Sequence, residues 1–315
     1  MIVSRFGLIG FLALTACSPA PTPAPEATKG EALACVSPPP VSAKDAKSYM
    51  LWIPGGPTRI GSEKFHPEEA PIRVVEVKGF WIDQREVTNA EFAAFVAATG
   101  YVTTAEREPK GSALFFSPTN VSNMSDIGQW WRIDPEANWR APYGKGSSTK
   151  GMEAMPVVHV TFDDAMAYAQ WRGRDLPSEA EWERAARGGL PNAEYAWGDD
   201  PKPGGKAMTN HWQGIFPIAD TGDDGAKGIA PGACYPANGY GLYDMTGNVW
   251  ELTKDTWPAG DPSAPPGAHV QKGGSFLCAD NFCLRYRPAA RQAGDPTLGS
   301  SHTGFRTVWR GAAPG

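Results

Sequence analysis

Helical periodicity stops at Gly188, and the rest of the chain has to fold without it. Up to that point three segments carry their own start and stop signals. Thr88 with Glu91 opens the apolar-rich run through Val96, closed by Gly100. Thr161 with Asp164 opens the run to Trp171, closed by Gly173, and Ser178 with Glu181 opens the run to Arg187, closed by Gly188. In each, a hydroxyl can accept from an orphan amide and the acid suits the positive helix end. Leu51–Gly56 and Ile72–Val77 alternate or run apolar and predict strands. Beyond Gly188 the 36 Gly and 30 Pro of the chain imply turns and short elements, and its 12 Trp imply burial by large aromatics. The expectation is an α+β fold with little regular secondary structure, not a series of βαβ units.

The N-terminus reads as an export signal. Arg5 supplies the positive start, and Phe6 to Leu14 form an apolar run too short to span a bilayer, which takes about 20 residues. Leu14-Thr15-Ala16-Cys17 resembles a bacterial lipoprotein cleavage box, which implies lipid on Cys17 and a membrane anchor that does not cross the bilayer. Residues 1–17 are then a lipoprotein signal peptide. Residues 18–47, with Pro19, Pro21, Pro23, Pro25 and Pro38–Pro40, form a Pro/Ala-rich tether, and 48–315 form one folded domain. The expected location is the bacterial cell envelope, on the exported side of a membrane. A net charge of −5 without a basic cluster gives no reason to expect a nucleic-acid partner. There is no Gly-x-Ser-x-Gly elbow and no His-Glu-x-x-His helix, so hydrolase chemistry finds no support.

A loop-rich half needs something other than ladders to hold it. Asn210, the turn Thr221–Gly225 and the stretch Asp244–Glu251 offer carboxylates, an amide oxygen and carbonyls freed at glycine turns. These are hard ligands of the kind Ca²⁺ prefers, although neither stretch is an EF-hand loop and Asp-Gly also simply makes turns. Cys278 and Cys283, five positions apart, are the other feature with definite chemistry. In an exported chain they form a disulfide, a soft-metal site or a redox couple. Cys35 and Cys234 remain as a possible bridge between tether and domain.

Several segments taken together resemble the formylglycine-generating enzyme family, also called sulfatase-modifying factors. They are Glu86–Asn89, Thr99–Tyr101, Pro156–Val160, Leu176–Glu183, Asn210–Gly214, Asn238–Glu251, Gly273–Ser275 and the closing Gly304-Phe305-Arg306. The resemblance covers the folded part from about Met50 to Trp309 and implies a relative of the C-type lectin fold. It implies a Cu(I) site at Cys278 and Cys283, where O2 converts a cysteine of an unfolded sulfatase, in a Cys-x-Pro-x-Arg sequence, to Cα-formylglycine. Ser275 falls in the oxygen pocket and Trp250 at an active-site tryptophan position. Arg285 and Arg287 favour the thiolate if they point inward.

Two calcium sites carry over by position: Asn210 and Asp224 with the carbonyls of His211 and Ala226, then Asp244 and Glu251 with the carbonyls of Gly247 and Val249. Departures from the family pattern are Phe282 for tyrosine, Ala279 for histidine and His302 for asparagine, which bear on substrate preference. Because fold does not dictate function, two other readings stand beside the oxidase. One is a non-catalytic envelope binding or assembly module, and the other is an oxidase of a different substrate.

Overall fold

The computed structural model describes Cys35, Val36 and residues 49–314. The signal peptide, Cys17 and nearly all of the tether lie outside the described residues. No helix among those described is long and apolar enough to cross a membrane.

All three capped helices form as the sequence predicts. The chain begins with β1 (Met50–Ile53), β2 (Gly56–Ile60), β3 (Arg73–Val77) and β4 (Phe80–Asp83), followed by α1 (Asn89–Thr99). A short α2 (Thr104–Arg107) precedes β5 (Ser112–Phe115) and β6 (Trp131–Asp134), and then come α3 (Phe162–Trp171) and α4 (Glu179–Ala186). Thr88, Thr161 and Ser178 each accept from the backbone of the residue three on, and Glu91, Asp164 and Glu181 reach back in reciprocal capping boxes. Gly100, Gly173 and Gly188 turn the chain away at φ 68°, 66° and 56°, the left-handed region where a missing Cβ removes the penalty. The sequence reading missed α2, whose own box pairs Thr103 with Glu106.

After α4 the described residues hold only short strands and one 3₁₀ turn at Pro203–Gly205. These strands are β7 (Gly214–Ile215), β8 (Ala219–Asp220), β9 (Trp250–Thr256), β10 (His269–Lys272), β11 (Arg291–Gly294), β12 (Thr303–Gly304) and β13 (Val308–Trp309). One sheet has the order β11-β10-β9-β12 and another β1-β4-β13, so the last strand returns to pair with β4 near the start of the domain. The remaining strands form two-stranded ribbons.

Of the buried apolar clusters among the described residues, the three largest make up most of the core. One packs α1 and α3 around Phe92, Phe95, Tyr168 and Phe305, and a second packs Trp182 of α4 against Phe80 and Ile82 of β4. The third is aromatic and lies beside the cysteine loop, with Trp130, Trp212, Phe216 and Phe276. Ion pairs buried in this apolar surround hold the irregular half. Lys272, fully buried, donates to Glu183 at 2.9 Å. Arg287 grips Glu69 through both outer nitrogens, and Arg306 grips Glu251 at 2.7 Å twice. A charge in such a place needs a partner with good geometry. Cys35 and Cys234 form a disulfide, so the tether is bonded at Cys35 to the loop ahead of Asp244.

Candidate functional site

Cys278 and Cys283 sit on a tight loop between β10 and β11. Ala279 and Phe282 exchange backbone hydrogen bonds across it at 2.9 and 3.1 Å, and Cys283 and Leu284 adopt φ of 83° and 43°. A non-glycine pair held at positive φ marks a constrained turn. Its effect is to fold the second thiol back onto the first, and the two sulfurs lie 2.9 Å apart as free thiols.

The two thiols differ electrostatically. The Cys278 S–H···S contact lowers Cys283 to about 7, with Arg285 assisting against the cost of burial. Burial, and then the neighbouring sulfur, push Cys278 well up. One proton is therefore shared between the sulfurs, with the thiolate on Cys283. The backbone amides of Ser275 and Arg285 also favour charge on Cys278, as donors aimed at sulfur should.

Arg285 points inward, with Nη1 3.8 Å from the Cys283 sulfur. Glu68 holds it there through Nε and Nη2 at 3.2 and 2.5 Å. Burial raises the Glu68 carboxyl, but its hydrogen bonds and the Arg285 charge outweigh that and leave it lowered. Arg287 does not take the role expected of it. It turns to Glu69 and lies over the Phe65 ring at 3.6 Å, because a fully buried guanidinium is satisfied by a bidentate carboxylate. His66 completes the cover, its Nε2 lying 2.6 Å from the Cys283 carbonyl. The segment His66–Glu69 thus braces the cysteine loop from 217 residues away, and no local sequence signal announces it.

Ser275 and Trp250 are brought to the same place. Cys278 N–H donates to the Ser275 carbonyl at 2.9 Å, and Trp250 packs in one buried cluster with Cys278, Tyr195 and Tyr286. Ser275 Oγ is 3.1 Å from His302 Nδ1, and Trp250 N–H donates to the His302 carbonyl at 2.8 Å. Phe282 stacks on Phe216 with centroids 4.4 Å apart and meets Trp130 edge-on, so its ring joins the aromatic cluster. A cleft of about 410 Å³ is walled by Phe115, Trp212, Ile229 and Phe276, with Ser301, Asp220 and Lys227 also lining it; neither cysteine lines it, and its link to the cysteine loop is Trp212, whose N–H donates to the Cys278 carbonyl at 2.9 Å.

The candidate calcium ligands also gather in two places. Asp224 accepts from the amides of His211 and Ala226 at 3.0 and 3.1 Å, so those residues close around its carboxylate. Burial, together with the like charge of Asp220, pushes Asp224 up to about 6. Asn210 keeps its side-chain oxygen apart from these bonds, since Nδ2 donates to Gly228 and Asn248. In the second set, Asp244 accepts from Ala233 N–H at 2.6 Å and is also raised to about 6 by burial. Glu251, however, faces Arg306 and Trp182 with both oxygens. Gly247 and Val249 sit on the bend between Asp244 and Glu251. Neither set contains three His, Cys, Asp or Glu side chains, and no such metal-ready group of three occurs among the described residues.

A loop-rich α+β scaffold that holds two free thiols 2.9 Å apart presents a site suited to thiol redox or soft-metal chemistry. Residues 37–311 match the Sulfatase-modifying factor enzyme 1-like domain. The chain is 46% identical over 286 residues to a "Formylglycine-generating enzyme" of Thermomonospora curvata, covering 84% of this chain and 94% of the relative. It is also 40% identical to the "Inactive C-alpha-formylglycine-generating enzyme 2" of Mus musculus, covering 84% and 87%. Among solved structures, PvdO from Pseudomonas aeruginosa has the same fold, with a TM-score of 0.58 and 24% identity over 82% of this chain and 93% of that one. The chain belongs to the formylglycine-generating enzyme, or sulfatase-modifying factor, family and is an enzyme of that family.

Proposed function

We propose that this protein is a copper-dependent oxidase that converts the cysteine of a Cys-x-Pro-x-Arg sequence in unfolded sulfatases to Cα-formylglycine, with O2 as oxidant. The observation that carries the reading is the sulfur pair: two thiols 2.9 Å apart, one lowered to about 7. Family membership alone does not decide it, because a relative named inactive is almost as similar as those named active.

The donor set suits the metal. Two soft sulfurs select Cu(I) over harder ions, and a thiolate, not a thiol, is the ligand. Bound there, copper supplies O2 activation beside the target sulfur. The chain's own residues do the remainder. Arg285, braced by Glu68, stabilises negative charge on Cys283, and the Ser275 and Arg285 amides do the same at Cys278. Trp250 shares the buried cluster that shields Cys278, while Cys283 stays partly exposed. The cleft beside Phe276 and Ser301 offers an apolar lining for an extended, unfolded segment. The test is mass analysis of a Cys-x-Pro-x-Arg peptide incubated with the reduced, Cu(I)-loaded protein in air. Aldehyde formation is expected, and its absence from copper-loaded protein sinks the proposal in favour of an oxidase of a different substrate.

Calcium at the two oxygen-rich loops belongs to the same proposal, as a brace for a fold poor in ladders. The first set suits it better. A raised, buried carboxylate beside another acid gains from a divalent cation, whereas Glu251 already shares its charge with Arg306. A chelator should lower the melting temperature and calcium should restore it; a melt that does not move removes calcium from the reading. We also propose export and lipid attachment at Cys17, which would place the enzyme where its target emerges unfolded. Intact mass of the protein from membranes tests this, with an acyl-modified Cys17 expected at the N-terminus.

A further inference from the structure

The bridge between Cys35 and Cys234 closes on a constrained point of the backbone. Ala233, the residue before Cys234, is buried and stands at φ 62°, in the left-handed region that a residue with a Cβ rarely adopts. It is held from both sides. Its N–H donates to Asp244 Oδ2 at 2.6 Å, and its carbonyl accepts from Val36 N–H at 2.9 Å. Val36 follows Cys35, so the bridge and that hydrogen bond press the same short piece of chain onto the loop. We infer that the Cys35–Cys234 bridge is a redox-operated latch. Closed, it keeps Ala233 in this conformation with its amide on Asp244; opened by a dithiol, it lets the loop from Ala230 to Cys234 relax. This goes beyond the proposed function and uses neither copper nor the target peptide.

The latch is accessible from one side. Cys35 is exposed, whereas Cys234 is buried. A thiolate of the dithiol bonds to the Cys35 sulfur and the bridge breaks, and Cys234 leaves with the electron pair and takes up a proton. The second thiol of the reagent then closes its own disulfide and releases Cys35. The dithiol is oxidised, and the bridge is reduced to two thiols. Cys278 and Cys283 are already free thiols, so the same reagent leaves the site pair as it is.

The loop that the latch holds is joined to the site. Ala230 N–H donates to Asn248 Oδ1 at 3.0 Å, and the Ala230 carbonyl accepts from Asn248 Nδ2 at 3.3 Å. The Asn248 carbonyl accepts in turn from Phe276 N–H at 2.9 Å, just ahead of Cys278. Asp244, at the start of the same bend, takes the Ala233 amide. What loosens Ala233 therefore acts on the bend against which the cysteine loop is hydrogen-bonded.

Amide hydrogen exchange on the full chain, before and after dithiothreitol, tests the latch. A residue released from an unfavoured conformation should open readily, so the Ala230 and Ala233 amides should exchange about tenfold faster once reduced, while those of α1 and α3 keep their rates. Cys35→Ser should match the reduced wild type and ignore the reagent. Ala233→Gly, for which this φ carries no steric cost, should show a smaller rise on reduction. Unchanged exchange at Ala230 and Ala233 overturns the inference. An equal rise in α1 and α3 overturns it too, because the bridge would then stabilise the whole domain and not a local latch. So does a glycine variant that responds as the wild type does. None of these outcomes touches aldehyde formation, which stands or falls separately.

Discussion

The two halves of this domain solve the same problem by opposite means. Before Gly188, order is local: α1, α3 and α4 each begin on a hydroxyl and an acid three residues apart and end at a glycine. After it, order is long-range. Arg306 reaches Glu251, Lys272 reaches Glu183, and Arg285 reaches Glu68. The first half could lose one cap and keep its packing; the second has few redundant ties. The contrast also says where chemistry belongs. Helices set faces that carry a core, while a loop under long-range restraint can bring two thiols to 2.9 Å.

The sharpest way to break this comparison is at the loop itself. Cys278→Ser or Cys283→Ser should abolish aldehyde formation on the peptide while the melting curve stays near that of the wild type; residual activity would show that the sulfur pair is not the reacting centre. Next comes the buried pairing. Arg306→Met leaves Glu251 enclosed without its partner and should cost about 3–5 kcal/mol in urea unfolding.

A smaller effect is electrostatic. In the reduced, metal-free protein, alkylation of Cys283 should rise with pH through about 7, with Cys278 reacting far more slowly. Arg285→Gln removes a cation that favours the thiolate, so the midpoint should move up; a midpoint that stays put would mean that the sulfur contact alone sets it. The least effect is expected in the first half. Thr88→Ala removes one cap and should cost about 1 kcal/mol. Should it cost as much as Arg306→Met, the division into locally and distantly ordered halves is wrong.

What could be read from the sequence follows the same division. Capping boxes occupy four consecutive residues, so Thr88, Thr161 and Ser178 announced their helices without tertiary knowledge. The box at Thr103 was equally local, but α2 is only four residues long and lacks a periodic apolar run to draw notice. Cys278 and Cys283 stood out by their spacing, Ser275 and Trp250 by resemblance, and the four lie together in the structure. Glu68 and His66 were not found. Their contacts to the cysteine loop span 217 residues, and an exposed-looking His-Pro-Glu-Glu stretch carries no mark of what it will touch. Arg285 and Arg287 show the limit most plainly. Two arginines two positions apart look equivalent in sequence, yet one meets the thiol and the other is consumed by Glu69. Ser275 and His302 lie 27 positions apart with no sequence signal joining them, yet Oγ and Nδ1 meet at 3.1 Å in the fold.

The bridge between Cys35 and Cys234 makes a covalent ring of the whole first half and the start of the second, with a sequence separation of 199. A protease that nicks any surface turn inside that ring opens the peptide backbone without releasing a fragment. Such a cleaved molecule would migrate as one species until a reductant split it in two, and the fragment carrying β9 to β13 and both site thiols would still be attached to the segment that leads to the N-terminus.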